Sequence, residues 1–266
     1  LNTKNSSKGK DIKSILKETA DIRKNNSYTY ASFNNSHFTK ENNSYFPEIL
    51  GKLGWMEDSV VMVGNDIKMD IEPAMKSGLP VYWITDGIIG AKGPSEIPNG
   101  KIKDLHTWLK NTSFDSLNHS MEKPTSLLAV LRSTPAVLEG KLCKLSEEEF
   151  DSLSDPQEWS IKEVICHLRD VEMEVNIPRI QRILNQDNPF ITGENTDRWA
   201  IERNYSGQNG KDALLSFIKA RKNTLDLLDN LKVEWERPAR HSIFGSYTLQ
   251  ELVGVIAGHD KNHIRQ

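Results

Sequence analysis

The last stretch of the chain, residues 249–266 (LQELVGVIAGHDKNHIRQ), constrains the fold most. Leu249, Leu252, Val253 and Ile256 recur at three- and four-residue spacing, the pattern of one buried stripe on an amphipathic helix. His259 and His263 prolong that stripe, and their separation of four residues sets both imidazoles on one face, about one turn apart. Thr248 and Glu251 form a capping-box pair that marks where the helix begins. Such a helix cannot stand alone. Its apolar stripe needs cover, and imidazoles buried without partners cost roughly 1–3 kcal/mol each. A divalent cation gripped by both rings removes that cost.

A third ligand stands in WSIKEVICHLRDVE, where His167 lies on the stripe of Ile161, Val164, Leu168 and Val171. This helix also has a marked start: Ser160 and Glu163 form a capping box, and Trp159 is placed to staple onto Val164. With zinc–nitrogen distances of roughly 2.0–2.1 Å, three ligating nitrogens should lie about 3–4 Å apart. Three protein ligands leave a position open for water or substrate, as in catalytic rather than structural sites. Neighbouring groups are read more plainly. Asp170 and Glu172 could orient His167 or extend the ligand set, with a solvent-facing strip as the alternative. Asp260 is expected at the surface and Cys166 in core packing. His241 and Tyr247 are loop residues that either approach the site or are solvated.

The rest of the C-terminal half reads as helical scaffold. Residues 127–142 are apolar at helical spacing, interrupted by Pro135, which either kinks the helix or follows a fresh cap at Ser133 or Thr134. Residues 160–185 form a long helix that Pro178 should bend, and 186–209 a long connection with a short helix near Trp199. Residues 211–231 place Leu214, Phe217, Ile218, Leu225 and Leu228 inward, with Arg221 on the same stripe; WERPARHSIFGSY reads as a loop. Four helices, one long crossover and an internal histidine cluster predict an all-α four-helix bundle over residues 124–266. This half resembles the DinB-like domains, on the strength of EWSIKEVICHLRDVE, WERPARHSIFG and IAGHDKNHIRQ together. The resemblance implies a divalent metal, Zn, Ni or Mn-like, held by His167, His259 and His263. Its characterised members include thiol S-transferases and metal-dependent hydrolases.

The N-terminal half follows another grammar. Residues 11–24 suit a helix with Ile12, Ile15, Leu16 and Ile22 inward, residues 28–33 are β-prone, and residues 45–53 suit a helix ended by Gly54. Residues 60–63 and 79–84 are continuous apolar runs, the pattern of strands buried on both faces, with a short helix between them ended by Gly78. Strand, acidic loop, helix and strand indicate a parallel α/β sheet, whose ligands bind beyond the carboxyl ends of the strands. The segment FTKENNSYFPEILGKLGWMEDSVVMVGNDIKMDIEPAMKSGLPVYWI resembles the C-terminal part of a haloacid-dehalogenase-like (HAD) hydrolase. The resemblance covers residues 28–110. It implies a partial Rossmann-like unit in which Lys40 is the catalytic lysine and Asp66 and Asp70 hold Mg²⁺. Asn65 stands where many members carry Asp. Residues 1–40 contain no strand ending in DxD, so the attacking carboxylate is missing and phosphatase activity is not expected. The division expected is a partial HAD-like α/β domain over 1–111, a linker over 112–123 where Gly and Pro punctuation gives way to polar residues, and the bundle over 124–266.

The net charge of −3 gives no electrostatic case for nucleic acid. No run reaches transmembrane length and none suits a signal peptide; two cysteines, without a CxxC, suit a reducing compartment. A cytoplasmic protein acting on a small molecule is expected, with neither nucleic acid nor membrane as partner and homodimerisation left open. The start at Leu1 and the stop shortly after His263 suggest truncation at both ends. Two functions compete: a metal-dependent hydrolase or thiol transferase, and a non-catalytic metal- or ligand-binding module accessory to a HAD phosphatase whose N-terminal half is missing.

Overall fold

The computed structural model describes residues 36–55, 60–86, 97–113, 122–153 and 158–266. The helix expected over 11–24, the β-prone run at 28–33 and most of the linker lie outside them. The chain divides into two units, residues 1–36 and 37–266, and every element named below belongs to the second. No helix among the described residues is long and apolar enough to cross a membrane.

The α/β segment begins with helix α1 (Tyr45–Leu53), which ends at Gly54 as its sequence indicates. Strands β1 (Met62–Gly64), β2 (Val81–Ile84) and β3 (Asn99–Gly100) form a parallel sheet in that order, with Met62 opposite Val81 and Trp83 opposite Asn99. Between β1 and β2 the chain makes a π turn (Ile67–Ile71) and helix α2 (Glu72–Lys76). Helix α3 (Ile102–Asn111) follows β3. Phe46 and Leu50 of α1 pack with Ile71, Ala74, Val81 and Trp83 in one apolar cluster.

Helix α4 (Pro124–Leu142) runs through Pro135 without a break, contrary to the kink or fresh start that the proline suggests. Proline there removes the N–H that would bond the Leu131 carbonyl. The Arg221 guanidinium supplies a donor instead, with Nη1 at 3.4 Å from that oxygen. Ser133 and Thr134 are not caps; both are buried and donate to the Val130 carbonyl. The other face of α4 carries α1, and a Cβ on Gly51 would stand 2.8 Å from Val137 Cγ2, so the two helices meet where there is no side chain.

A single turn, α5 (Glu147–Phe150), leads to α6 (Ile161–Val171), a π turn (Glu172–Asn176) and α7 (Ile177–Asn185), one continuous helical rod. The π turn lies just before Pro178, whose missing N–H would otherwise break the regular ladder. The long connection holds β4 (Phe190–Ile191), α8 (Trp199–Glu202) and a 3-10 turn (Tyr205–Gly207). Helix α9 (Gly210–Leu228) and helix α10 (Leu249–Arg265) complete the four-helix bundle.

The C-terminal half is not purely helical. The segment read as a loop folds into β5 (Pro238–His241) and β6 (Gly245–Thr248), an antiparallel hairpin with β4 added in parallel on β5. Its strands are four residues long, too short for alternation to register as a strand signal. His241 and Tyr247 are buried rather than solvated. Among the described residues no strand after residue 124 joins the first sheet.

Candidate metal centre

Two helix starts fix the register of the centre. Ser160 accepts from Glu163 N while Glu163 accepts from Ser160 N, and Thr248 and Glu251 make the same reciprocal pair. From the first start, Val164, Leu168 and Val171 turn inward and carry His167 with them, 3% exposed. From the second, Leu249, Leu252, Val253 and Ile256 form the buried stripe, and His259 and His263 follow on the last turns of α10.

The three rings converge through their Nε2 atoms. His167 Nε2 lies 3.1 Å from His259 Nε2, and His263 Nε2 lies 3.2 Å from the same atom. One nitrogen from each ring falls within 4.8 Å of the other two. His263 Nδ1 contacts Gln266 Oε1 at 2.6 Å; the ring must donate there, which leaves its Nε2 as a lone pair facing the others. Trp159 covers the cluster, its indole 4.8 Å from the His167 ring and nearly parallel to the His263 ring, at 5°. That position adds a wall to the centre which the staple pattern alone does not reveal.

The residues fit a cation. Two zinc–nitrogen bonds of about 2.0–2.1 Å at a near-tetrahedral angle hold their nitrogens about 3.3–3.4 Å apart, close to the two short separations here. With His263 Nε2 unprotonated, a single linear hydrogen bond satisfies one of the two contacts and leaves lone pairs opposed in the other. A cation ends that conflict. Burial, then the neighbouring imidazoles, pushes His167 down to about 3. Burial, then His263, pushes His259 down to about 4, and burial lowers His263 as well. All three rings are therefore neutral near pH 7, the form that binds metal.

Beside the centre lies a buried ion cluster that the sequence reading missed. Arg221 on α9 is 1% exposed and donates from Nε and Nη2 to Glu172, at 2.7 and 3.0 Å. It also donates from Nη2 to Asp260 at 3.0 Å and from Nη1 to the same carboxylate. Asn176 and Thr224 donate to Glu172, and Thr134 donates to Asp260 at 2.9 Å. Burial alone would push the guanidinium down, but the Asp260 and Glu172 charges outweigh it and hold it protonated. Asp260 is thus no surface charge, and Glu172 faces Arg221 rather than the ligand set. Asp170 is also buried and accepts from Arg169, Arg203 and Tyr205, tying the 203–205 turn to α6. Cys166 is fully buried, as core packing requires.

His241 and Tyr247 do not reach the centre. They flank the start of α10, and about 15 Å of helix rise separates Leu249 from His259. His241 Nδ1 accepts from Ile243 N at 3.1 Å and so closes the hairpin turn.

At the carboxyl end of β1, Lys40 Nζ donates to Asp70 Oδ1 at 3.0 Å. Asp66 is exposed and caps the π turn, accepting from Lys68 N and Met69 N at 2.9 Å. Gly64 admits Asp70 to this corner, since a Cβ there would stand 2.4 Å from Asp70 Cβ. Lys40, Asp66 and Asp70 thus share one strand end, although Asp66 spends its carboxylate on a cap.

Taken together, the C-terminal half is a four-helix bundle holding three convergent, neutral histidines between two of its helices. Residues 130–266, just over half of the chain, match the family model of the DinB superfamily, and the chain belongs to that superfamily. A protein of Oceanobacillus iheyensis, provisionally named a metal-dependent hydrolase, is 28% identical over 136 residues, which cover 50% of this chain and 77% of that protein. The uncharacterised YuaE of Bacillus subtilis is 25% identical over 134 residues, covering 46% of this chain and 83% of YuaE. Among solved structures, Bacillus subtilis YfiT, described with an unusual four-helix bundle topology and provisionally as a metal-dependent hydrolase, matches with a TM-score of 0.49 and 22% identity, over 55% of this chain and 83% of YfiT. These similarities concern the DinB-like bundle.

Proposed function

We propose that the bundle is a divalent-metal module that hydrolyses a small molecule or transfers a group to a thiol, with His167, His259 and His263 as its ligands. The observation that carries this reading is the meeting of three neutral Nε2 atoms in one place. The metal-dependent hydrolase name of the Oceanobacillus relative supports the hydrolytic branch. Zn and Ni suit imidazole donors, whereas a Mn-like ion, which favours oxygen ligands, fits this all-nitrogen set less well. When bound, the cation supplies Lewis acidity, polarising the reacting group and making a water or thiol beside it more acidic. The chain's own residues do the rest. Gln266 holds the His263 tautomer, and Trp159 shields the rings on one side. Asp260 and Glu172 are engaged by Arg221, so neither serves as a free base.

The test is metal content and turnover together. Purified protein should carry about one divalent ion per chain, and His263→Ala should lose it. The metal-loaded protein should turn over at least one member of an ester, amide and thiol-acceptor panel, and the variant none. Equal metal content in wild type and His263→Ala would refute the site. Binding without turnover would favour an accessory metal- or ligand-binding module.

A second reading concerns the α/β segment. We infer that it is the C-terminal part of a HAD-like hydrolase, divided from the bundle over residues 112–123. The Lys40–Asp70 pair at the end of a parallel strand supports this. Lys40 would be the lysine of that active site and Asp66 and Asp70 its Mg²⁺ ligands. With no strand-DxD in residues 1–40, this chain supplies no nucleophile of its own.

A further inference from the structure

We propose that the buried cluster of Glu172, Arg221 and Asp260 is the counter-charge and positioning frame of the three-histidine centre. The proposal rests on the reading of that centre as a metal site. Three neutral imidazoles bring no negative charge to a divalent cation. Two carboxylates against one guanidinium leave the cluster one negative charge in excess. Thr134, Asn176 and Thr224, which complete its hydrogen bonds, are neutral and cannot cancel that charge. The three charged side chains are each no more than 1% exposed, so water does not screen it.

The cluster is also built into the helices that carry the ligands. Asp260 follows His259 directly on α10, and Glu172 opens the π turn that continues α6 from His167. Arg221 grips both carboxylates from α9 and touches the Leu131 carbonyl of α4, so one guanidinium fixes the relative register of four helices. Sliding α10 along α6 would separate His259 from His167 and pull Arg221 away from Asp260 or from Glu172.

The experiment titrates the chelator-stripped full chain with Co²⁺, read by visible absorbance and by competition with a chromophoric chelator. Wild type should bind one Co²⁺ and His263→Ala none; failure at this step overturns the metal reading itself. Asp260→Asn, which keeps the shape and removes the charge, should weaken Co²⁺ by about tenfold or more. Thr134→Val removes a hydrogen bond from the same carboxylate but keeps the charge. It should change affinity by less than about threefold while lowering the melting temperature. Equal affinity in Asp260→Asn and wild type, or an equal loss in Thr134→Val, overturns the proposal. Wild type provides a measurement that no folding defect can spoil. Between about 0.01 and 1 M salt the Debye length falls from about 30 to 3 Å, and a buried counter-charge should hold Co²⁺ affinity within about threefold. A fall of about tenfold or more would assign the counter-charge to surface carboxylates and overturn the cluster's role.

Discussion

Acid should destabilise the metal-free protein through its histidines, in a pH window set by their burial. An unfolded histidine titrates near 6.5, whereas His167 is pushed down to about 3 and His259 to about 4. A lowered folded pKa means that the unfolded chain binds protons the native state refuses. Stability is then fully present above about pH 6.5 and is lost as pH falls toward the folded values. At pH 7.5 both states are nearly neutral. At pH 5 protonation favours the unfolded state by about 2 kcal/mol per ring, because the ring is 1.5 pH units below its unfolded pKa and each unit is about 1.36 kcal/mol. His167 and His259 together contribute about 4 kcal/mol of lost stability, a large part of a typical domain's total. His263 shifts in the same direction and adds to the loss.

The assay is urea unfolding of chelator-treated protein, followed by circular dichroism at several pH values between about 5 and 7.5. His167→Gln removes one titrating ring and should shrink the pH-dependent loss by about 2 kcal/mol, whatever it does to stability at pH 7.5. Saturating metal should flatten the upper part of the curve, because protons must then displace the ion. A wild-type loss below about 1 kcal/mol between pH 7.5 and 5, or an unchanged loss in His167→Gln, would refute the assignment of three neutral rings.

Arg221→Met should destabilise the protein by about 3–5 kcal/mol, because it leaves two carboxylates buried without their cation; thermal melting should fall by roughly 6–20 °C, at about 2–4 °C per kcal/mol. Thr248→Ala removes the cap of α10 and should cost about 1 kcal/mol in denaturant unfolding, with Thr248→Ser restoring most of it. The chain should release no phosphate from a phosphate monoester; turnover lost in Asp66→Ala but kept in His263→Ala would show that the α/β segment has a nucleophile after all.

What the sequence revealed and what it hid divide along physical lines. The helix starts at Ser160 and Thr248 were legible because capping boxes are local, and the convergence of the histidines followed from apolar stripes that both helices keep. The β5–β6 hairpin was not legible, because four-residue strands leave little periodicity and their burial depends on a distant strand, β4. Asp260 was misplaced although a signal existed. It stands four residues after Ile256, on the same buried face, and Arg221 on the stripe of α9 already required a buried carboxylate. Periodicity assigns a charged residue to the surface by default, and only the partner on α9, far back in the sequence, overrules that. Pro135 failed as a breaker for the same reason: the donor that spares the Leu131 carbonyl comes from α9.

Stability alone does not account for a core built this way. A buried ion triad is often no more stable than apolar residues of equal volume, and three opposed imidazoles without a cation are unfavourable outright. Both features sit on α6 with its π turn and on α10, and Asp260 adjoins His259 in the chain. If register were the only need, one carboxylate bridging α9 and α10 would serve. The second, Glu172, adds a buried charge on the rod that carries His167 and draws in two further hydrogen-bonding partners, Asn176 and Thr224. That excess makes sense where the neighbouring site holds positive charge. The α/β segment shows the opposite logic: Lys40 already neutralises Asp70, and Asp66 is committed to a cap. Of these two corners, it is the bundle's that presents uncommitted ligand atoms backed by unbalanced buried charge.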